Sequence, residues 1–279
     1  MDVKTLLHHL RKELESIGHE HESREILENL FKRDISYLYA HDDLPVDQNI
    51  LKRLEEVIEA RKLGQPLAYI FNKRSFYGRD FFVNSSVLIP RLETEFSIQE
   101  LLKLPGDSFL ELGIGSGCVS ITMKLERPGL SVDGVDISDQ AIQVAELNAK
   151  KHLAEVHFFK SNLFEKVAPS YDLIYSNPPY IKAKDMDDLE DEVKKYEPHL
   201  ALNGGEDGLD FYKKIIKDTP DYLNKTGYLV LEIGYNQKEE IFALLDAIHF
   251  TGKCIQDYGG HDRVIIAGHD HHSLGCICR

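Results

Sequence analysis

A chain of 279 residues has room for one large domain and a smaller one, and 42% hydrophobic with 29% charged residues can bury a core of ordinary size. Thirty-three basic against 47 acidic residues leave a formal charge of −14, which opposes non-specific attachment to a phosphate backbone and argues against a large nucleic-acid footprint. No apolar run reaches the roughly 18 to 20 residues of a membrane span, no signal pattern opens the chain, and Cys118, Cys254, Cys276 and Cys278 are too unevenly placed for a disulfide framework, so a cytoplasmic protein with reduced thiols and no membrane partner is expected.

Residues 1 to about 75 carry helical periodicity. Leu6, Leu7, Leu10, Leu14 and Ile17 share one face, as do Ile50, Leu51, Leu54, Val57 and Ile58. Asp42-Asp43-Leu44-Pro45 suits a turn and Asp47 an N-cap, so a small helical bundle is expected. His8, His9, His19 and His21 fit a solvated helical face, and no metal site is assigned to them. Between 76 and 90 aromatic and β-branched residues suggest a linking β-hairpin. Ile89-Pro90-Arg91-Leu92-Glu93-Thr94-Glu95 then starts a helix, with its charges either capping and solvating it or lining a pocket.

Residues 91–268 alternate strand and helix, the pattern of a parallel sheet covered on both sides. Strands are expected at 108–112, 131–135, 156–160, 172–176, 228–233, 254–257 and 263–267, and helices at 118–126, 139–152 (capped by Ser138), 209–223 and 237–248. The His/Cys-containing stretch 269–279 is expected to be a flexible tail rather than a metal site.

Two stretches carry chemistry. Glu111-Leu112-Gly113-Ile114-Gly115-Ser116-Gly117 places three glycines between a strand and a helix, where the backbone turns tightly against a ligand. The third glycine arrives one residue earlier than in the dinucleotide fingerprint. Asp136, nineteen residues beyond Gly117 at the end of the next strand, suits a ribose diol. Glu111 would repel a pyrophosphate and suit a cation, and no Gly-Lys-Ser/Thr phosphate loop is present, so S-adenosylmethionine fits best. Asn162 and Leu163, with Phe164, are placed at the adenine, with core packing of Leu163 and Phe164 an equal alternative.

The second stretch is Asn177-Pro178-Pro179-Tyr180 after the strand 172–176. Its prolines stiffen the loop, and the Asn177 side-chain oxygen with the Pro178 carbonyl can accept both protons of a planar –NH2 group. Tyr180 offers a face to the amide plane.

These motifs, with Gly64-Gln65-Pro66-Leu67-Ala68-Tyr69-Ile70, Glu197-Pro198-His199-Leu200-Ala201-Leu202, Gly204-Gly205-Glu206-Asp207-Gly208-Leu209, Glu232-Ile233-Gly234 and Gln237, resemble the protein-(glutamine-N5) methyltransferases of the HemK/PrmC family. The resemblance implies a small helical substrate-recognition domain and a seven-stranded Rossmann-like α/β domain using S-adenosylmethionine. It also implies a protein substrate, the Gly-Gly-Gln glutamine of class 1 peptide chain release factors. Gly113 to Gly117 and Asp136 would hold the cofactor, and Asn177 to Tyr180 the glutamine amide. Leu92 stands where the family usually has proline. An N6-adenine or N2-guanine methyltransferase acting on DNA or RNA presents the same pair of donors and is the alternative, opposed by the acidic charge. A catalytically silent ligand sensor is opposed by the intact acceptor loop. A monomer is expected.

Overall fold

The structure is a computed structural model that describes residues 1–168 and 170–269, so the tail beyond His269, with Cys276 and Cys278, lies outside the described residues. The chain divides into two compact units, Met1–Lys73 and Arg74–Arg279.

The first unit consists of helices α1 (Val3–Glu15), α2 (Ser23–Phe31), α3 (Ile35–Ala40), α4 (Gln48–Lys62) and α5 (Leu67–Ile70). Three starts are fixed by aspartate caps: Asp2 accepts from Thr5 N, Asp34 from Ser36 N and Asp47 from Asn49 N. Leu6, Leu10, Leu14, Ile26, Leu27, Leu38, Leu54 and Val57 form its core. Arg61 is buried beneath them, satisfied by Glu22 (2.8 Å), the Gln65 carbonyl (2.8 Å) and a ring nitrogen of His19 (2.9 Å). His19 therefore does not belong to a solvated face, as the sequence suggested, whereas His8 and His9 do. His19, His21 and Glu22 come within metal-ligating distance of one another, yet the guanidinium already supplies the cation there.

The second unit opens with a hairpin, β1 (Arg74–Phe76) and β2 (Arg79–Phe81), in the register Arg74↔Phe81. Tyr77 and Gly78 both have positive φ at its tip, 48° and 72°, the combination that matches strand twist. The hairpin is shorter than the expected 76–90 and starts earlier, because Arg74 and Ser75 already pair. Beyond Phe81, the Asn148 amide caps both backbone groups of Phe82, and an Asn84 turn ends strand geometry.

The rest alternates α6 (Leu92–Leu101), β3 (Ser108–Leu112), α7 (Cys118–Glu126), β4 (Ser131–Asp136), α8 (Asp139–His152), β5 (His157–Lys160), β6 (Tyr171–Ser176), α9 (Asp191–Tyr196), α10 (Asp210–Asp218), β7 (Leu223–Glu232), α11 (Lys238–Asp246), β8 (Phe250–Gln256) and β9 (Asp262–His269). All seven expected sheet strands are present, in the order β5-β4-β3-β6-β7-β9-β8. The sheet is mixed rather than parallel. Five residues join β8 to β9, too few for a crossover helix, so β9 runs antiparallel to β8 and inserts antiparallel beside β7.

Alternation along each strand splits the core. Phe109, Leu173, Tyr175 and Val230 face one way, against Ile98 and Leu101 of α6, Ile121 of α7 and Ala145 of α8. Leu110, Leu112, Ile174, Leu229 and Leu231 face the other, against Tyr212, Ile215, Ile241 and Leu245. Strand order reverses at β3, which lies between β4 and β6. A crevice opens beyond the carboxyl ends of strands at such a switch.

Candidate active site

The crevice is a cavity of about 630 Å³, and sheet register brings the two motif loops to it together. Leu112 pairs with Ser176, so Gly113 and Asn177 leave adjacent strands at the same level. Ser176 also pairs with Leu231, which places Glu232 beside Asn177 on the other side.

On the β3 side, Gly113, Gly115 and Gly117 all have positive φ (78°, 52° and 75°). Their roles differ. A Cβ on Gly113 or Gly115 would meet nothing within 4 Å, and both line the cavity. A Cβ on Gly117 would stand 2.9 Å from Ala145 Cβ, so this third glycine admits α8 and does not touch the cavity. Ser116 is likewise buried, its carbonyl accepting from Asn148 Nδ2 at 2.9 Å. Ile114 lines the cavity, and with Gly113 it is anchored by the Val135 carbonyl.

Asp136 accepts from Gly115 N (3.1 Å) and Ser138 N (2.9 Å), which holds its carboxylate at the rim. Burial raises its pKa. Glu111 is buried, and its Oε2 accepts from Ser120 N at 2.8 Å and from Ser120 Oγ, while Oε1 has no donor among the described residues. Burial pushes this carboxyl up to about 8, against the lowering effect of the two Ser120 bonds and with a smaller push from Asp136. Two carboxyl groups held in one low-dielectric crevice are set to receive a cation, whose charge favours the ionised form of Glu111. Asn162 and Leu163 complete this side beside Ser161. Phe164 instead packs in the core, stacked on Tyr222 at 4.5 Å.

On the β6 side, Asn177, Pro178 and Pro179 line the cavity. Asn177 Nδ2 donates to Glu232 Oε1 at 2.9 Å, and among the described residues neither its Oδ1 nor the Pro178 carbonyl receives a donor. Tyr180, expected against the substrate amide, does not line the cavity; its ring packs in the second core cluster near Gly234. Its carbonyl accepts from Gln237 Nε2, which also reaches the Gly208 carbonyl, while Gln237 Oε1 accepts from Gly234 N. A Cβ on Gly204 would lie 2.7 Å from the Pro179 carbonyl, so this glycine lets its loop close over the motif.

Glu232, Thr94 and Gln237 hold the acceptor loop from distant parts of the chain, and Ser97 holds Glu232. None of these roles was legible in the sequence, whose one signal was that Glu232, Thr94 and Gln237 lie in motifs of the family resemblance. Arg91 does line the cavity and pairs with buried Glu197 at 2.6 Å. Glu95 instead accepts from Tyr77 N, and Glu93 is exposed.

Residues 84–206 match the family profile described as the methyltransferase small domain, and residues 5–71 that of the PrmC N-terminal domain. A release factor glutamine methyltransferase of Geobacter sulfurreducens is 40% identical over 235 residues, covering 82% of each chain. One of Bacillus subtilis is 39% identical over 246 residues, covering 83% of this chain and 85% of the relative. A methyltransferase structure from Pyrococcus furiosus shares the fold, with a TM-score of 0.55 at 20% identity over 76% of this chain and 97% of that one. The chain belongs to the release factor glutamine methyltransferase family.

Proposed function

We propose that this protein transfers a methyl group from S-adenosylmethionine to the side-chain amide nitrogen of the glutamine in the Gly-Gly-Gln motif of class 1 peptide chain release factors. One observation carries the reading: beside a glycine-turn crevice with two carboxyl groups, Asn177 offers a side-chain oxygen that no donor among the described residues occupies, next to the Pro178 carbonyl. Two acceptors match the two N–H groups of a primary amide.

The residues present fit the cofactor. Gly113 and Gly115 leave room for close approach, Asp136 can accept from ribose hydroxyls, and Glu111 Oε1 faces no competing donor among the described residues. Asn162 and Leu163 line the same cavity, where the adenine would rest. When bound, S-adenosylmethionine supplies an electrophilic methyl carbon on a sulfonium.

An amide nitrogen is a weak nucleophile because its lone pair is delocalised, so orientation is the main contribution of the protein. Asn177 Oδ1 and the Pro178 carbonyl accept the two amide protons and aim the nitrogen along the direction of transfer. Their partial negative charge favours the positive charge that develops on nitrogen. The nitrogen gains the carbon and loses one proton to solvent, and the sulfonium becomes a neutral thioether.

The protein acts as a cytoplasmic monomer that meets its protein substrate transiently. Among the described residues no helix is long and apolar enough to cross a membrane. The test is mass spectrometry of a purified release factor after incubation with labelled S-adenosylmethionine. One added methyl on the motif glutamine is expected, and none on a factor with that glutamine replaced or on RNA or DNA. Label on nucleic acid alone would overturn the reading.

A further inference from the structure

The side-chain amide of Asn177 is built to work in one orientation only. Rotated by half a turn, it would present N–H groups to the incoming amide and reject it, and the terminal torsion of asparagine by itself tolerates both orientations. What lies behind it therefore decides whether the site functions.

Behind it is Glu232, buried at the end of β7 and absent from the cavity lining. Four donors converge on its carboxylate. Oε1 accepts from Asn177 Nδ2 (2.9 Å) and Thr94 Oγ1 (3.3 Å), and Oε2 from Ser97 Oγ (3.0 Å) and Tyr175 Oη (3.1 Å). These occupy about the four lone-pair positions that an ionised carboxylate offers. Three of the donors come from α6 and β6 and leave room for one more, so Asn177 must supply an N–H.

We propose that Glu232 is a positioning residue: its buried carboxylate holds Asn177 Nδ2 inward, so that Oδ1 faces the cavity as an acceptor, and this selects a carboxamide over a carboxylate as the methyl-accepting group. The proposal rests on the reaction assigned above. Reversal of Asn177 would set its oxygen against the anion, acceptor facing acceptor, and leave one lone pair of the carboxylate without its donor. With Oδ1 and the Pro178 carbonyl both facing the substrate, a glutamine side chain finds two acceptors for its two protons. A glutamate side chain would place anionic oxygen against them. The negative charge behind the amide also polarises it, which makes Oδ1 the stronger acceptor.

Protonation of Glu232 undoes the arrangement, because a carboxylic acid can donate to Asn177 Oδ1 and hold the reversed amide. Burial raises the Glu232 pKa, opposed by the bonds from Ser97, Thr94 and Tyr175 and by the charge of Arg263 on β9. The other titratable groups facing it are Tyr175, Tyr180 in the acceptor loop, Tyr212 on α10 and Cys118 on α7. Burial keeps all four neutral near pH 7, since it raises the pKa of each.

Glu232→Gln should lower kcat on release factor roughly ten- to a hundredfold with little change in the KM for S-adenosylmethionine, as expected for one lost positioning interaction. It should also narrow, by at least about tenfold, the preference for binding a factor with the motif glutamine over one carrying glutamate there. A wild-type kcat with an unchanged glutamine/glutamate preference overturns the proposal. Should that variant fail to fold, Ser97→Ala removes one donor and should move the acid limb of the kcat profile up by about one pH unit. An unmoved limb also overturns it. The side-chain amide NMR signal of Asn177, assigned by its absence in Asn177→Asp, separates this proposal from the assigned reaction. In the wild type it should follow the ionisation of Glu232, and in Glu232→Gln or with Ser97→Ala it should lose or shift that titration. A signal that ignores pH and both substitutions overturns the positioning role. A signal that behaves as stated, with no release factor methylated, leaves that role standing and overturns the reaction.

Discussion

The two loops that meet at the crevice obtain their shape in opposite ways. Gly113 to Gly117 is shaped from within: positive φ at three glycines turns the backbone, and its main fastenings are the Val135 carbonyl and the Asp136 carboxylate of the adjoining β4. Asn177 to Tyr180 has almost no conformational freedom of its own, and its working orientation is imposed from outside by Glu232, Thr94 and Gln237. A loop that recognises through backbone shape can be specified locally. A loop that recognises through one side-chain orientation needs groups brought from elsewhere in the fold.

The contrast can be broken most severely at Asn177. Asn177→Ala should cost methyl transfer about 10²- to 10³-fold in kcat, the effect of losing one preorganised hydrogen bond in a closed site, while cofactor affinity measured by calorimetry stays near wild type. Unchanged turnover would remove the side-chain role assigned to this loop.

A second test addresses charge on the glycine side. Glu111 has a folded pKa raised from an ordinary 4.5 to about 8, so at pH 7 it holds a proton in the empty protein. A bound cation favours its ionised form, and binding should therefore release a proton. Affinity for S-adenosylmethionine should rise with pH towards about 8, by up to tenfold per unit, and then level off. Folding of the empty protein takes up that proton, so its stability should fall as pH rises through the same window. Calorimetry in buffers of different ionisation enthalpy reads the proton directly, and Glu111→Gln should abolish its release.

The glycine turn itself separates shape from packing. Gly117→Ala places a methyl 2.9 Å from Ala145 Cβ at φ +75° and should lower stability by about 1–3 kcal/mol in denaturant unfolding. Gly115→Ala meets no atom within 4 Å and carries only the left-handed strain of φ +52°, so its stability loss should be the smaller of the two and its main effect should fall on cofactor affinity. Equal stability losses in the two variants would erase the distinction.

The smallest effect is expected at Leu92, the first residue of α6. It is 64% exposed, and the preceding Arg91 sits at φ −94°, ψ 148°, the region that a following proline prefers. Leu92→Pro should raise stability by about 0.4–1 kcal/mol through a less flexible unfolded chain, seen as a small increase in Tm.

Much of this architecture is local and was legible in the sequence. The capped helices, the strand before each motif, Asp136 at the end of β4 and the stiff Asn-Pro-Pro loop all follow from neighbours in the chain. The inverted β9 was less visible, because the strand that follows β8 after a short loop gives no sign of inserting beside β7. Arg61 drawing in His19, Phe82 paired by Asn148 and the inward ring of Tyr180 were also hidden, since each partner is set by the packed fold. The same holds for Glu232. Its letters mark an ordinary strand end until register sets it beside Asn177.

That register also has a consequence for synthesis. The nucleoside side of the crevice is complete in sequence by Leu163, whereas Asn177 gains its underlying carboxylate only from Glu232, and its loop the clamp at the Tyr180 carbonyl only from Gln237, at the end of β7 and beyond. A nascent chain emerging from the ribosome can thus form its donor half some seventy residues before it can orient an acceptor, so competence for transfer arrives only once those late strands have docked.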